Sequence, residues 1–314
     1  MRLSPASRRP GLYPSRPSEE TNMLTESQTT EPSRAGFPGA SLLRDGKRTL
    51  RSLCPQSVLN WREEQFYLRY GEVELHLLDL LCDPQRDSID VGANDGSYVH
   101  FMRKHSRMVH AFEPMPSLAE ALREKFESRV TVHPVALSRE TGETELRIPV
   151  VDGVAVTGCS TISDGASATY PGFTTVQVPL DRLDAIYEGD VGFIKIDVEG
   201  HEQAVLDGAV STIRRSQPRM LVEVDERLSP GGLARARSYF DELGYRGYFV
   251  ADGELRLIKS FSSDKYQRPE NLPDLKAPLS KRERFGRYLY NFIFLPPDES
   301  PAMPHRIAER LKRL

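Results

Sequence analysis

The sequence has no run of apolar residues near the roughly 20 that a membrane-spanning helix needs. Residues 1–36, rich in Pro, Ser, Arg and Thr, lack the apolar segment of a secretory signal. Cysteine is scarce. Cys54, Cys82 and Cys159 are odd in number and without CxxC spacing, which argues against a disulfide framework or a zinc site. They suit a reducing compartment and small packing roles. Neither charge dominates: 42 Lys and Arg against 45 Asp and Glu give a net charge of -3. That balance argues against a nucleic-acid surface or a basic membrane anchor. There is no internal repeat. What remains is a cytoplasmic protein of 314 residues, 39% of them hydrophobic, enough for a substantial core in one large domain or two small ones.

The composition of residues 1–40 cannot form a core, so they are expected to be a disordered tail. Met23 lies within it, and the sequence leaves open whether Met1 or Met23 is the start. Residues 41–85 read as a helical extension. In "WREEQFYLRYGEVELHLLDLLCD" (61–83), Phe66, Leu68, Val73, Leu75, Leu77, Leu78 and Leu81 recur at mostly helical spacing, with Gly71 as a weak point. From residue 86 to 298 strands alternate with helices. "SIDVGA", "MVHAFEP" and "VTVHPVAL" read as strands. "GSYVHFMRKHS" and "SLAEALREKF" read as helices, the second with Ser117 as N-cap three residues before Glu120. "TELRIPV" and "TTVQVPL" flank a Gly/Ser/Thr-rich loop, 152–172, expected to be mobile. "VGFIKIDV", "RMLVEVD", "YRGYFVA" and "NFIFLPP" are later strands, separated by helices through "HEQAVLDGAVSTIRR" and "GGLARARSYFDELG". Residues 259–290 read as an irregular excursion, and 299–314 as a C-terminal tail. Alternation of this kind predicts a doubly wound α/β fold, a parallel sheet covered on both faces.

In such sheets a ligand sits beyond the carboxyl ends of the strands. The first strand runs into "IDVGANDGS", where Gly92 and Gly96 allow a sharp turn and a close ligand. A dinucleotide fingerprint would read GxGxxG; here the spacing is GxxxG, and Asp95 inside the turn would repel a pyrophosphate. Glu113 ends the second strand about twenty residues on, where an acid accepts hydrogen bonds from ribose hydroxyls. A glycine turn plus this acid implies adenosine without pyrophosphate, so S-adenosylmethionine rather than NAD.

"IDVGANDGSY", "HAFEPMPS", "VALS" and "FIKIDVEGHEQAVLDGA", followed by "LVEVDE", resemble the FkbM family of S-adenosylmethionine-dependent methyltransferases over about residues 86–250. "NFIFLP" near the end is also similar to that family. The resemblance implies a Rossmann-like, seven-stranded sheet of the class I methyltransferase type with the last strand inserted antiparallel. It implies methylation of oxygen, on a sugar, glycoconjugate or natural product. By motif, Asp90, Gly92, Asn94, Gly96 and Glu113 would line the cofactor, and the segment from Ala136 to Ser138 would lie near the adenine.

"GFIKIDVEGHEQAVLDG" (192–208) carries charges at every second position of an otherwise buried strand, which calls for a reason, since burying an unpaired charge is costly. As the fourth parallel strand, it would end with Asp197 beside the methyl donor and Lys195 two residues deeper on the same face. Glu199 and Glu202 flank the first turn of the next helix, where acids favour the helix dipole; a capping role and a catalytic one are both open for them. His201 is a candidate general base, with Asp197 either orienting it or binding the substrate hydroxyl. Alternatively Asp197, with Glu223 or Asp225, could bind Mg²⁺ and acidify the acceptor hydroxyl. The expected partner is a small molecule or saccharide, with no nucleic acid and no membrane span; no signal for an oligomeric state is present. The alternatives are an NAD(P)-linked oxidoreductase, disfavoured by the glycine spacing, and a non-catalytic binding module of methyltransferase fold.

Overall fold

Asp87–Val91 (β1) is buried along its whole length, as befits a strand covered on both faces. In the computed structural model, which describes residues 56–151, 153–163, 172–272 and 285–314, it is an interior strand of an eight-stranded sheet. The expected tail, Met23, Cys54 and the start of the helical extension lie outside the described residues, as do parts of the 152–172 loop and of the 259–290 segment.

The strands in chain order are β1, β2 (Val109–Phe112), β3 (Val130–His133), β4 (Ala136–Leu137), β5 (Gly142–Val151), β6 (Val154–Ala155), β7 (Phe173–Asp181), β8 (Val191–Ile196), β9 (Arg219–Glu223), β10 (Arg246–Ala251), β11 (Glu254–Leu257) and β12 (Asn291–Leu295). The large sheet runs β11-β10-β12-β9-β8-β1-β2-β3. β1, β2, β3, β8 and β9 pair in parallel, and β12 is inserted antiparallel between β9 and β10. This is the expected seven-stranded arrangement with an eighth strand, β11, on its edge. β11 follows Asp252-Gly253, both at positive φ (52° and 77°), the Asp-Gly hairpin signal.

The expected single strand "VTVHPVAL" is two. Pro134 interrupts it; β3 joins the large sheet, while β4 joins a second sheet ordered β4-β7-β5-β6. β5 and β7 form the long antiparallel arm of that sheet, and residues 157–162 between them lie near Val91 and Asp197 at the ends of β1 and β8. The helix after β2 begins at Pro116, with Met115 rather than Ser117 in the cap position; proline suits a first helical turn because it has no N–H to satisfy there. The helix after β8 divides at Gly208, where a side chain would strike the Ser138 carbonyl at 1.9 Å.

Both ends of the described chain pack into the domain. Helix Gln56–Tyr70 ends at Gly71, and Leu77, Leu78 and Leu81 behind it are fully buried. Residues 303–311, expected to be a tail, instead form a helix. Met303, Ile307 and Leu311, four apart on one face, are buried against the same core as Phe193, Leu221 and Ile293. Among the described residues, no helix is long and apolar enough to cross a membrane.

Candidate active site

β1 and β8 are neighbours at the point where the strand order reverses, and their carboxyl ends frame two adjoining cavities. One is a mainly apolar slot between Phe112, Ala136, Leu137, Leu146 and Ile162, with Glu113 in its wall. The other is lined by Glu72, Tyr98, Lys195, Glu223 and Tyr290. Gly92, Asn94, Gly158, Asp197 and Glu199 belong to both, so they form the junction.

Gly92 makes the junction possible. Its φ is +82°, and a Cβ there would lie 1.9 Å from the Asp197 carbonyl oxygen. The glycine lets the exits of β1 and β8 touch; it does more than leave room for a ligand. Gly92→Ala is therefore expected to cost about 1–3 kcal/mol of stability from strain alone, read as a lower melting temperature. Gly96, at φ +80°, makes the sharp turn expected of it. It lines neither cavity, and its missing side chain makes room for Leu122 and Phe126. Asp95, in the turn before the helix, accepts from the Ser97 N–H at 3.1 Å and keeps a negative charge beside the helix start.

Glu113 sits as anticipated, at the end of β2 in the apolar slot. Its Oε2 accepts from the Asn94 N–H at 2.8 Å and its Oε1 from the Met115 N–H at 2.9 Å. Burial raises its pKa and these two donors oppose the rise. The hydrogen bonds fix the carboxylate while leaving a second lone pair on each oxygen. Asn94, held left-handed at φ +48°, is the turn residue that supplies one of them.

Ser138 and His201 form a pair, Oγ to Nε2 2.9 Å, at the adjoining end of the slot. His201 lines the slot and not the second cavity; Ser138 lies behind, almost fully buried, with Ala136 and Leu137 in front. Burial, aided by Arg139, pushes the imidazole down to about 4. An imidazole so weakly basic, with Nε2 already engaged, is a poor general base at neutral pH. The structure thus places the expected base, His201, on the slot side, paired with Ser138.

Asp90 lines neither cavity. It faces Lys195 across the paired strands β1 and β8, completely buried, with its carboxylate 3.5 Å from Lys195 Nζ and no hydrogen bond. Lys195 Nζ also donates to Asp197 Oδ2 at 3.0 Å and rests 4.6 Å from the centre of the Tyr98 ring. Burial works against the lysine's charge, but Asp197 and Asp90 outweigh it and raise its pKa. Burial likewise pushes Asp90 up to about 6, against the pull of Lys195. Asp90 holds the lysine, and the lysine holds Asp197 at the junction.

The second cavity is acidic. Asp197, Glu199 and Glu223 offer carboxylate oxygens that all lie within 4.8 Å of one another. Burial, and then mutual repulsion with Asp197 foremost, drives Glu199 and Glu223 well above the usual carboxylate range. Glu72 is raised by the same causes, although the Tyr98 hydroxyl and Asn291 Nδ2 donate to its Oε2. Asp225, a candidate metal ligand from the sequence, is elsewhere: its carboxylate is gripped by Arg227 and by the Tyr288 hydroxyl at 2.7 Å. Glu199 takes its place. Glu199 was readable from its position two residues past Asp197, whereas Glu72, Tyr290, Gly158 and Thr161 reach the site from distant segments and carry no local signal.

A family model described as "Methyltransferase FkbM domain" matches residues 90–246. Among solved structures, Methyltransferase FkbM from Methylobacillus flagellatus KT is 16% identical at a TM-score of 0.41; the match covers 68% of this chain and 44% of that one. This chain thus spans less than half the length of that structure. An rRNA methylase from Streptococcus thermophilus is 8% identical, with a TM-score of 0.41, over 73% of this chain and 96% of the other. Precorrin-6y C5,15-methyltransferase from Geobacter metallireducens GS-15 is 13% identical, with a TM-score of 0.37, over 71% and 86% of the two chains. No curated protein matches.

Proposed function

Because the chain belongs to the FkbM family of methyltransferases, we propose that it binds S-adenosylmethionine in the apolar slot and methylates a hydroxyl of a sugar, glycoconjugate or natural product held in the acidic cavity. The observation that carries this reading is the junction: a slot fit for a nucleoside and a cavity rich in proton acceptors meet at Asp197 and Glu199. The slot fits the cofactor's parts. Glu113 retains lone pairs for the ribose hydroxyls, and Phe112, Ala136 and Leu137 offer apolar contact to a base. When bound, the cofactor supplies an electrophilic methyl group on a positively charged sulfur.

A neutral alcohol is a weak nucleophile, so a residue must take its proton. Glu199 is suited to this: it borders both cavities, and burial beside Asp197 raises the affinity of its carboxylate for a proton. Asp197, fixed by Lys195, accepts the hydroxyl's hydrogen bond and orients it. Carboxylates crowded in the acceptor cavity repel phosphates, which favours a neutral, hydroxyl-rich acceptor over nucleic acid. A second reading has a divalent ion such as Mg²⁺ on Asp197, Glu199 and Glu223, supported by their mutual distances.

Calorimetric titration with S-adenosylhomocysteine beside NADH tests the reading. S-adenosylhomocysteine is expected to bind and NADH not to, and the reverse would sink it. Glu113→Ala should weaken S-adenosylhomocysteine by about 1.5–3 kcal/mol, the scale of hydrogen bonds to a charged group. Unchanged affinity in a folded variant would remove Glu113 from the site. Release of S-adenosylhomocysteine in the presence of a panel of neutral glycosides then identifies the acceptor.

A further inference from the structure

The peptide unit joining Glu199 to Gly200 is held at both ends. Its carbonyl accepts a hydrogen bond from Thr161 Oγ1 at 2.7 Å, and its N–H donates to Glu202 Oε1 at 2.7 Å. Glu199 stands at φ +51° and Gly200 at +99°. A non-glycine residue keeps a left-handed backbone only where its surroundings impose it. Glu202 belongs to the helix that follows β8 directly, so one end of the clamp is local. Thr161 is not local; it comes from the arm, 38 residues earlier.

Thr161 is well placed to impose a geometry. It is only 1% exposed. Its backbone forms an antiparallel bridge to Arg147 of β5, with N–H to oxygen distances of 2.8 and 2.9 Å in the two directions. Its hydroxyl accepts from the Ser163 N–H at 2.9 Å, so both the proton and a lone pair of Oγ1 are committed. The same short stretch also walls the slot: Thr157, Gly158, Ser160, Thr161 and Ile162 line it, and Gly158 reaches the acidic cavity as well.

Resting on the methyl-transfer reading above, we propose that Thr161 is a positioning residue: from the arm, it fixes the Glu199–Gly200 peptide and thereby aims the Glu199 carboxylate at the acceptor hydroxyl. The segment that walls the nucleoside slot is the segment that sets the base. The arm therefore aligns Glu199 relative to the contents of the slot.

Hydrogen exchange at the Gly200 amide of the full chain tests this. In the wild type that amide should be protected; exchange at the rate of an unfolded peptide would overturn the clamp without any variant. Thr161→Val keeps the shape and the β-bridge but removes the hydroxyl that holds the Glu199 carbonyl; the freed peptide unit should let the Gly200 N–H leave Glu202 Oε1 more often and exchange about fivefold faster, the factor of one typical hydrogen bond. Thr161→Ser keeps the hydroxyl and should restore the wild-type rate. With an acceptor from the glycoside panel, kcat should fall about tenfold in the valine variant and recover in the serine one. Unchanged exchange in folded Thr161→Val, or a serine variant as damaged as the valine one, overturns the proposal. Failure of the wild type to bind S-adenosylhomocysteine would instead sink the methyl-transfer reading and leave the exchange result standing.

Discussion

Glu199→Gln is expected to lower methyl transfer by about 10²–10⁴-fold, the range general-base catalysis contributes, while the protein still folds and binds S-adenosylhomocysteine. The amide keeps the shape of the side chain and removes only its ability to take a proton. Stability should move the other way. In the wild type, burial and the neighbouring Asp197 and Glu202 raise the pKa of Glu199, so the folded state holds a proton that the unfolded state has already released. Stability from that proton is full at low pH and is lost as pH rises through the raised value. Glutamine abolishes this loss, and its melting temperature should exceed the wild type's at alkaline pH. The rate responds oppositely: wild-type kcat climbs with pH as Glu199 ionises, and this acid limb should vanish in the variant. A normal rate with the limb intact would mean that Glu199 is a bystander. Asp197→Asn should also slow transfer, by about 10²-fold, through loss of orientation. EDTA separates the metal reading. If an ion is held, chelation stops turnover, Mg²⁺ restores it, and Glu223→Gln is as harmful as the other two changes; if the carboxylate acts alone, chelation changes nothing.

Lys195→Met should be the most damaging single change to the fold, costing about 3–5 kcal/mol, the usual result of stripping the partner from a buried charge. Lys195 is the only cation that the described residues bring to Asp90, which is wholly enclosed and has no hydrogen bond. For a protein of this size the loss corresponds to a drop of roughly 10 °C in melting temperature. Adding Asp90→Asn removes the stranded charge and should recover most of it. A double variant no more stable than Lys195→Met would show that the lysine's packing over Tyr98, and not its charge, is what the core requires. Wild-type stability in the single variant would remove the ion pair from the account altogether.

The strand charges of "GFIKIDVEGHE" illustrate what was legible. Alternation of apolar and charged residues, ending in a glycine, marked a strand leaving a core, and β8 does run from Val191 to Ile196 with Asp197 just beyond it. The order of strands and helices, the glycine turn after β1 and the acid after β2 were legible for the same reason. Each is a local pattern set by side-chain period or by backbone freedom, and both act over a few residues. Asp252-Gly253 carries a local hairpin signal of the same kind, but β11 was not anticipated from it.

Roles within the site were decided elsewhere. Asp90 and Gly92 are two residues apart, yet one faces a buried lysine and the other touches the exit of β8, because the pairing of β1 with β8 sets what each one meets. His201 looked like a base beside Asp197, but the chain turns through two left-handed residues between them and delivers the imidazole to Ser138 on the slot side. Asp225 looked like a ligand until Arg227 and Tyr288 claimed it. Glu72 from the first helical segment and Tyr290 before the last strand complete the acidic cavity from opposite ends of the domain. The sequence by itself determined the elements, the ligand end of the sheet and the residues that stand nearest to it. Tertiary structure alone decided which of those residues are paired, which are exposed to a ligand and what their charges cost. Burial and charge neighbours are long-range properties that no local pattern encodes.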